Sequence, residues 1–250
     1  MAKYLIIKNI FKVHPFYYLF ALISVLTGNF KSFFLFSSII IVHEFGHLLM
    51  AIVLGWKVEK VLILPFGGIT VFNEDLNRPL AEEFLILMCG PLFQLILVLI
   101  FNNDVLWNYS NNLFIFNFLP IFPLDGSKFL NIFLNYFLSF KYSHLFTLYI
   151  SFFCIFLVLV KYKFNLLIFL ILIFLFFKII NELREHNNIF NRFLLERYIK
   201  IFRFRKSIVI KSLNLKKMRR DYNHIFYGGG KYITEKEMLK KRFDFTNKTW

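Results

Sequence analysis

Acidic side chains are scarce in this chain, 15 Asp and Glu among 250 residues against 30 Lys and Arg, and cysteine is scarcer still at two. Cys89 and Cys154 both lie in apolar runs without metal-ligand spacing, so they read as buried inert thiols. No small-residue cleavage site follows the lysines and apolar stretch of the first twenty residues, so no removable signal peptide is expected. The basic C-terminal segment has no recognition motif, and nucleic acid is not expected as a partner. What the chain has in excess is apolar bulk. Its hydrophobic share is 58% with a mean hydropathy of +0.60 and 37 Phe, whereas soluble domains hold about 45–50% apolar residues. An integral membrane protein in contact with the lipid bilayer follows.

Charge is spread unevenly. Residues 188–250 carry 17 Lys and Arg against 5 Asp and Glu, +12 of the total +15. A basic tail after the last apolar run suits an anionic membrane face or retention in the cytoplasm. Apolar runs at Phe16–Thr27, Phe33–Gly55, Phe84–Phe101, Leu113–Leu138, Leu145–Val160 and Asn165–Ile180 predict a polytopic α-helical membrane protein of about six transmembrane helices. The fourth run is interrupted by Asn117 to Gly126, with Pro120 and Pro123 inside it, and predicts a broken helix. Gly90-Pro91 and Gln94 in the third run predict close helix packing or a kink. Asn102–Asn112 reads as a polar loop, and Lys3–Val13 alternates like a strand or interfacial segment. Residues 61–72 place β-prone arms around Pro65, Gly67 and Gly68, an apolar hairpin expected in the interface or dipping into the protein. Lysine and arginine counts put both termini in the cytoplasm.

The division expected is a membrane domain over 1–187 and a basic cytoplasmic domain over 188–250. In the latter, Ser207–Lys211 and His224–Tyr227 are strand-like, Leu213–Tyr222 is helix-like, Gly228-Gly229-Gly230 is a turn, and a helix opens at Thr234 with capping-box spacing to Glu237. So small an α/β unit is marginal alone and is expected to lean on the membrane domain or on a second copy, which leaves a homo-oligomer open.

Within the second run stand His43-Glu44-Phe45-Gly46-His47, an H-E-x-x-H pattern. Ionisable groups in a membrane span cost a few kcal/mol each unless compensated, and a metal ion compensates. On a helix, i and i+4 share a face, so His43 and His47 can aim at one ion while Glu44 takes a proton from water. Zinc in a catalytic site takes three protein ligands and leaves a position for water. Asp125, at the break in the fourth run, is the candidate third ligand, against the plainer reading of a partner for Lys128. A membrane peptidase with a Glu as third ligand is disfavoured for want of a later E-x-x-x-D pattern. A metal transporter using His43, His47 and Asp125 as path ligands is the non-enzymatic alternative. His14, His144, His186 and His224 lack ligand spacing and read as interface or surface residues.

The pairing of H-E-x-x-H with N-x-x-P-x-x-P-x-D-G, here Asn117, Pro120, Pro123, Asp125 and Gly126, resembles the site-2 protease family of intramembrane zinc metalloproteases. The six-span layout and Leu64-Pro65-Phe66-Gly67-Gly68 resemble its sporulation branch in particular. That resemblance implies one zinc per chain held by His43, His47 and Asp125, with Glu44 as general base. Asn117, Pro120, Gly67 and Gly68 are then candidate substrate-binding residues. It also implies a bacterial protein whose substrate is membrane-associated, a sigma-factor precursor in that branch, with inhibitory membrane proteins as partners. Its C-terminal domain would be CBS-like, with a nucleotide as candidate ligand.

Overall fold

The computed structural model describes residues 11–161, 166–202 and 204–245. The chain divides into two units, Met1–Glu74 with Ala81–Leu119 and Leu124–Gly126, and Asp75–Leu80 with Pro120–Pro123 and Ser127–Trp250.

In the first unit, β1 (Phe11–Val13) is what remains of the expected N-terminal strand among the described residues, since 3–10 lie outside them. The helix α1 (Pro15–Leu26) follows, started by Pro15 in its first turn and by His14, whose Nδ1 accepts from Phe16 N. The 24-residue α2 (Phe30–Val53) carries the His pair. The expected hairpin is present as β2 (Val58–Leu64) and β3 (Gly67–Phe72), antiparallel with Leu64 opposite Gly67. β1 joins it in parallel, Phe11 opposite Val61, giving a sheet in the order β1-β2-β3. Next come α3 (Leu80–Phe101), with Pro91 inside it, and α4 (Asp104–Asn117).

The polar loop expected over Asn102–Asn112 is a helix from Asp104 onward. Asn103 caps it, its side-chain oxygen accepting from the backbone nitrogens of Val105 at 2.9 Å and Leu106 at 3.2 Å. Leu106, Ser110, Leu113 and Asn117 then fall on one buried face. Leu106 and Leu113 pack with Ile39, Ile40 and Val98 in the core of this unit. The break predicted in the fourth run separates Asn117 from Asp125, where α5 (Asp125–Phe137) begins.

In the second unit, α6 (Phe140–Lys161) and the 34-residue α7 (Leu166–Ile199) run side by side. Ser151 Oγ on α6 accepts from Phe122 N at 3.0 Å, and its one proton is shared between Thr147 O at 2.8 Å and Pro120 O at 3.1 Å, so α6 meets part of the polar backbone in the break. Helix α7 continues past Ile180 and through residues 187 and 188 without interruption, because Phe190, Phe193 and Leu194 bury into the core below. That core is closed by β4 (Lys206–Ile210), β5 (Tyr222–Gly228), β6 (Lys231–Thr234) and α8 (Glu235–Phe245). β4 pairs β5 in parallel, and β5 pairs β6 through a two-residue turn at Gly229 and Gly230. Their φ angles of +60° and +76° are what such a tight hairpin demands. Thr234 and Glu237 form the expected reciprocal cap of α8.

The helix expected over Leu213–Tyr222 is only a single 3-10 turn, Leu215–Lys217. Leu215 and Met218 must both enter the core, and Met218 leaves the turn in extended conformation. Buried Arg197 closes the interior of this unit. Its guanidinium lies between the rings of Phe193 and Phe204, and it donates to Glu235 and to backbone oxygens of Arg219 and Tyr222.

Among the described residues, three helices are long and apolar enough to cross a membrane: Phe30–Val53, Leu80–Phe101 and Phe140–Lys161. α1 is apolar but shorter, at 12 residues. Many of their large apolar side chains face outward, among them Leu99, Ile100, Phe153 and Phe156, as a lipid-facing surface requires.

Candidate metal centre

His43 and His47 stand one helical turn apart on α2 and are 1% and 3% exposed. Their Nε2 atoms are 3.1 Å apart. Asp125, the first residue of α5, brings Oδ2 to 3.1 Å from His43 Nε2 and 3.0 Å from His47 Nε2. One ligand atom from each of the three residues therefore converges on a single point.

The outer ring nitrogens are tied down by α3. Gln94 donates through Nε2 to the carbonyl and hydroxyl of Ser110, at 2.6 and 2.8 Å, so its Oε1 must be the atom facing His43 Nδ1 at 2.8 Å. His47 Nδ1 donates to Ile86 O at 2.8 Å. Both imidazoles are thereby held as Nδ1–H tautomers with Nε2 lone pairs turned to Asp125. Ile86, Gly90 and Gln94 fall at i, i+4 and i+8, one stripe of α3. Gly90 is between the two hydrogen-bonding positions, where a Cβ would overlap the His47 ring and come within 3.0 Å of His43 Nε2. The small residue predicted to permit close packing does so against the ligands themselves.

Glu44 is 2% exposed and does not join the three ligand atoms. Thr70 Oγ1 on β3 donates to its Oε2 at 2.6 Å. Gly68 lies against the same carboxylate, so closely that a Cβ would overlap it. Asn117 Nδ2 is 3.5 Å from His43 Nε2, and its Oδ1 is 3.3 Å from where a Gly67 Cβ would stand. Gly67, Gly68 and Asn117 thus gather around the His pair and Glu44. Pro120 lies in the break, its carbonyl directed to Ser151. The roles of Gln94 and Thr70 were not marked by either motif. Their signals were one amide on the Gly90 stripe and one hydroxyl in an otherwise apolar strand.

The donor set fits zinc. Two neutral imidazoles and a carboxylate supply three ligands for a tetrahedral ion with one open position, and hydrogen-bonded Nδ1 atoms are the usual outer support of such ligands.

Residues 31–103 match the model of peptidase family M50. The chain is 34% identical to stage IV sporulation protein FB of Bacillus subtilis over 214 residues, 79% of this chain and 74% of that protein. It is 31% identical to a zinc metalloprotease of Methanocaldococcus jannaschii over 42% of this chain and 34% of that one. The solved structure of a site-2 protease from Methanocaldococcus jannaschii has the same fold, with a TM-score of 0.55, 23% identity, and coverage of 69% of this chain and 89% of that chain.

Proposed function

Given that this chain belongs to peptidase family M50 and is a zinc metalloprotease of the membrane, we propose that it is an intramembrane endopeptidase that cuts a membrane-associated protein near the cytoplasmic face. The observation carrying this reading is the convergence of His43 Nε2, His47 Nε2 and Asp125 Oδ2 beside a buried Glu44 that keeps its carboxylate off that point.

In the proposed mechanism His43, His47 and Asp125 hold the metal. A zinc ion held there would supply Lewis-acid chemistry and make water a nucleophile near neutral pH. Glu44 accepts the proton from the attacking water and delivers it to the leaving amine. Thr70 and Gly68 fix where that carboxylate stands. Asn117, Gly67 and Gly68, which gather around the His pair and Glu44, would receive the substrate backbone, with Pro120 in the break beyond them. A helical peptide bond hides its carbonyl, so the substrate enters unwound and adds to the edge of β3 that no strand pairs among the described residues. Proline scanning along residues 61–72 tests this, and unchanged cleavage throughout would remove strand addition from the mechanism.

Six crossings with both termini in the cytoplasm are proposed from the apolar runs and the Lys and Arg distribution of the sequence. Similarity to a sporulation protein makes the precursor of a sporulation sigma factor the proposed substrate and inhibitory membrane proteins the proposed partners. The C-terminal domain over residues 188–250 is proposed as CBS-like on the strength of its strand–turn–strand–strand–helix order, with a nucleotide or a second copy as its candidate ligand.

The deciding experiment coexpresses a tagged sigma-factor precursor with wild type, Glu44→Gln or Asp125→Ala and quantifies zinc in each. Expected are lost cleavage with zinc retained in Glu44→Gln, and reduced zinc in Asp125→Ala. Cleavage surviving Glu44→Gln would overturn the proposal and favour a metal-transport role for His43, His47 and Asp125.

A further inference from the structure

The C-terminal unit is fastened to the first residue of a candidate membrane span. Phe140 N, opening α6, donates to Met218 O at 3.0 Å, and Ser139 Oγ donates to Lys216 O at 2.8 Å. Phe140 also stacks on Phe193 with ring centroids 4.3 Å apart. The 3-10 turn Leu215–Lys217 is therefore held at the N-terminal end of α6.

Four cations collect at this level: Lys141 in the first turn of α6, Lys216 on the 3-10 turn, and Lys241 with Arg242 on α8. Lys141 Nζ donates to Asn187 Oδ1 at 3.2 Å and Arg242 Nη2 to Asn191 Oδ1 at 2.7 Å, so neutral amides on α7 aim both of them. Among the described residues none of the four forms an ion pair with a carboxylate. Lys216, Lys241 and Arg242 rim a cavity of about 440 Å³ whose other walls include Leu213 and Met238. Leu213 is half exposed there. Like charges brought together without a counter-charge favour an anion, and an apolar wall beside them favours one that carries hydrocarbon.

We propose that this pocket binds the phosphate head of an anionic phospholipid, seating the C-terminal unit on the membrane surface at the end of α6. The phosphate lies among Lys216, Lys241 and Arg242, the guanidinium giving the forked donor geometry that phosphate oxygens accept. The start of the acyl region lies against Leu213 and Met238. Free phosphate shares the headgroup's chemistry but uses none of the apolar wall.

The test uses the full chain in mixed micelles of phosphatidylcholine and phosphatidylglycerol, with co-purified lipid quantified by mass spectrometry. Lys216→Gln/Lys241→Gln/Arg242→Gln removes the rim, and Lys211→Gln/Lys231→Gln/Lys236→Gln removes the same charge elsewhere. Circular dichroism and zinc content report folding of each. Wild type is expected to enrich phosphatidylglycerol, the control variant to do nearly the same, and the rim variant to fall to the micelle ratio. Each lost cation near an anionic surface weakens binding on the order of fivefold. No enrichment by wild type would overturn the proposal, as would equal loss in both folded variants, which means diffuse charge. Enrichment abolished by millimolar inorganic phosphate would replace the lipid with free phosphate.

Discussion

Gln94 Oε1 lies 2.8 Å from His43 Nδ1, and the amide nitrogen of Gln94 is committed to Ser110. The glutamine cannot flip without losing two hydrogen bonds, so the tautomer of His43 is set from the third helix and not from the His helix itself. Gln94→Ala is expected to weaken zinc binding by about 10–100-fold, the usual loss for such an outer partner. Gln94→Glu keeps an acceptor for His43 and is expected to lose less. Competition with a chelator, read as bound zinc, separates the two variants without reference to proteolysis.

Thr70 is expected to act on proton transfer alone. Thr70→Val removes the 2.6 Å hydrogen bond to Glu44 but leaves all three converging ligand atoms in place. Zinc content should be unchanged, while cleavage slows, because the carboxylate loses the donor that fixes where it stands. Thr70→Ser, which keeps the hydroxyl, should restore the rate. Cleavage rates and zinc content of the three proteins check this, and equal rates for wild type and Thr70→Val would reduce Thr70 to packing.

Gly90 tests the stripe. A methyl group there would overlap the His47 ring, so Gly90→Ala must move either the imidazoles or α3. Zinc occupancy is expected to fall well below that of wild type even where the purified protein remains folded by circular dichroism.

His186 lies beyond the apolar part of α7, with Nδ1 2.8 Å from His144 Nδ1. Burial, then the neighbouring His144 and Lys141, lower its pKa from 6.5 to about 4, against an opposing pull from Glu182. The folded form thus keeps this imidazole neutral while the unfolded chain still takes up a proton. Its stabilising contribution is full above about pH 6.5 and is lost as pH falls toward about 4. Thermal unfolding in detergent should show a smaller drop in Tm between about pH 7 and 5 for His186→Gln than for wild type.

The parts of the fold written in local chemistry were legible in the sequence. The hairpin announced itself through Pro65, Gly67 and Gly68 between β-prone arms, and the cap of α8 through Thr234 and Glu237. The break between Asn117 and Asp125 was visible from its prolines. The helix Asp104–Asn117 was hidden because Asn102, Asn103, Asp104, Asn108, Asn111 and Asn112 crowd its cap and first turns with residue types typical of loops, and only Asn103 and the spacing of Leu106, Ser110 and Leu113 betray it. Leu213–Tyr222 failed in the opposite sense, since helix-like composition yielded to the need to bury Leu215 and Met218. At the site, the ligand triad could be named from motif residues. The supporting roles of Gln94 and Thr70 could not, because they depend on which neighbour each polar group meets across 51 and 26 residues of chain.

Of the two outer edges of the sheet β1-β2-β3, that of β3 belongs to the strand carrying Thr70 and Gly68 beside Glu44, so the proposed extended substrate would take its place there. Strand pairing is a ruler with a two-residue graduation. A one-residue slip turns every side chain to the opposite face, whereas a two-residue slip of about 7 Å restores the same facing. The scissile bond would then be chosen by counting along the strand as much as by the side chains flanking it. Inserting a single residue upstream of the cut should therefore be more damaging than inserting two, and minor products should differ from the main one by an even number of residues.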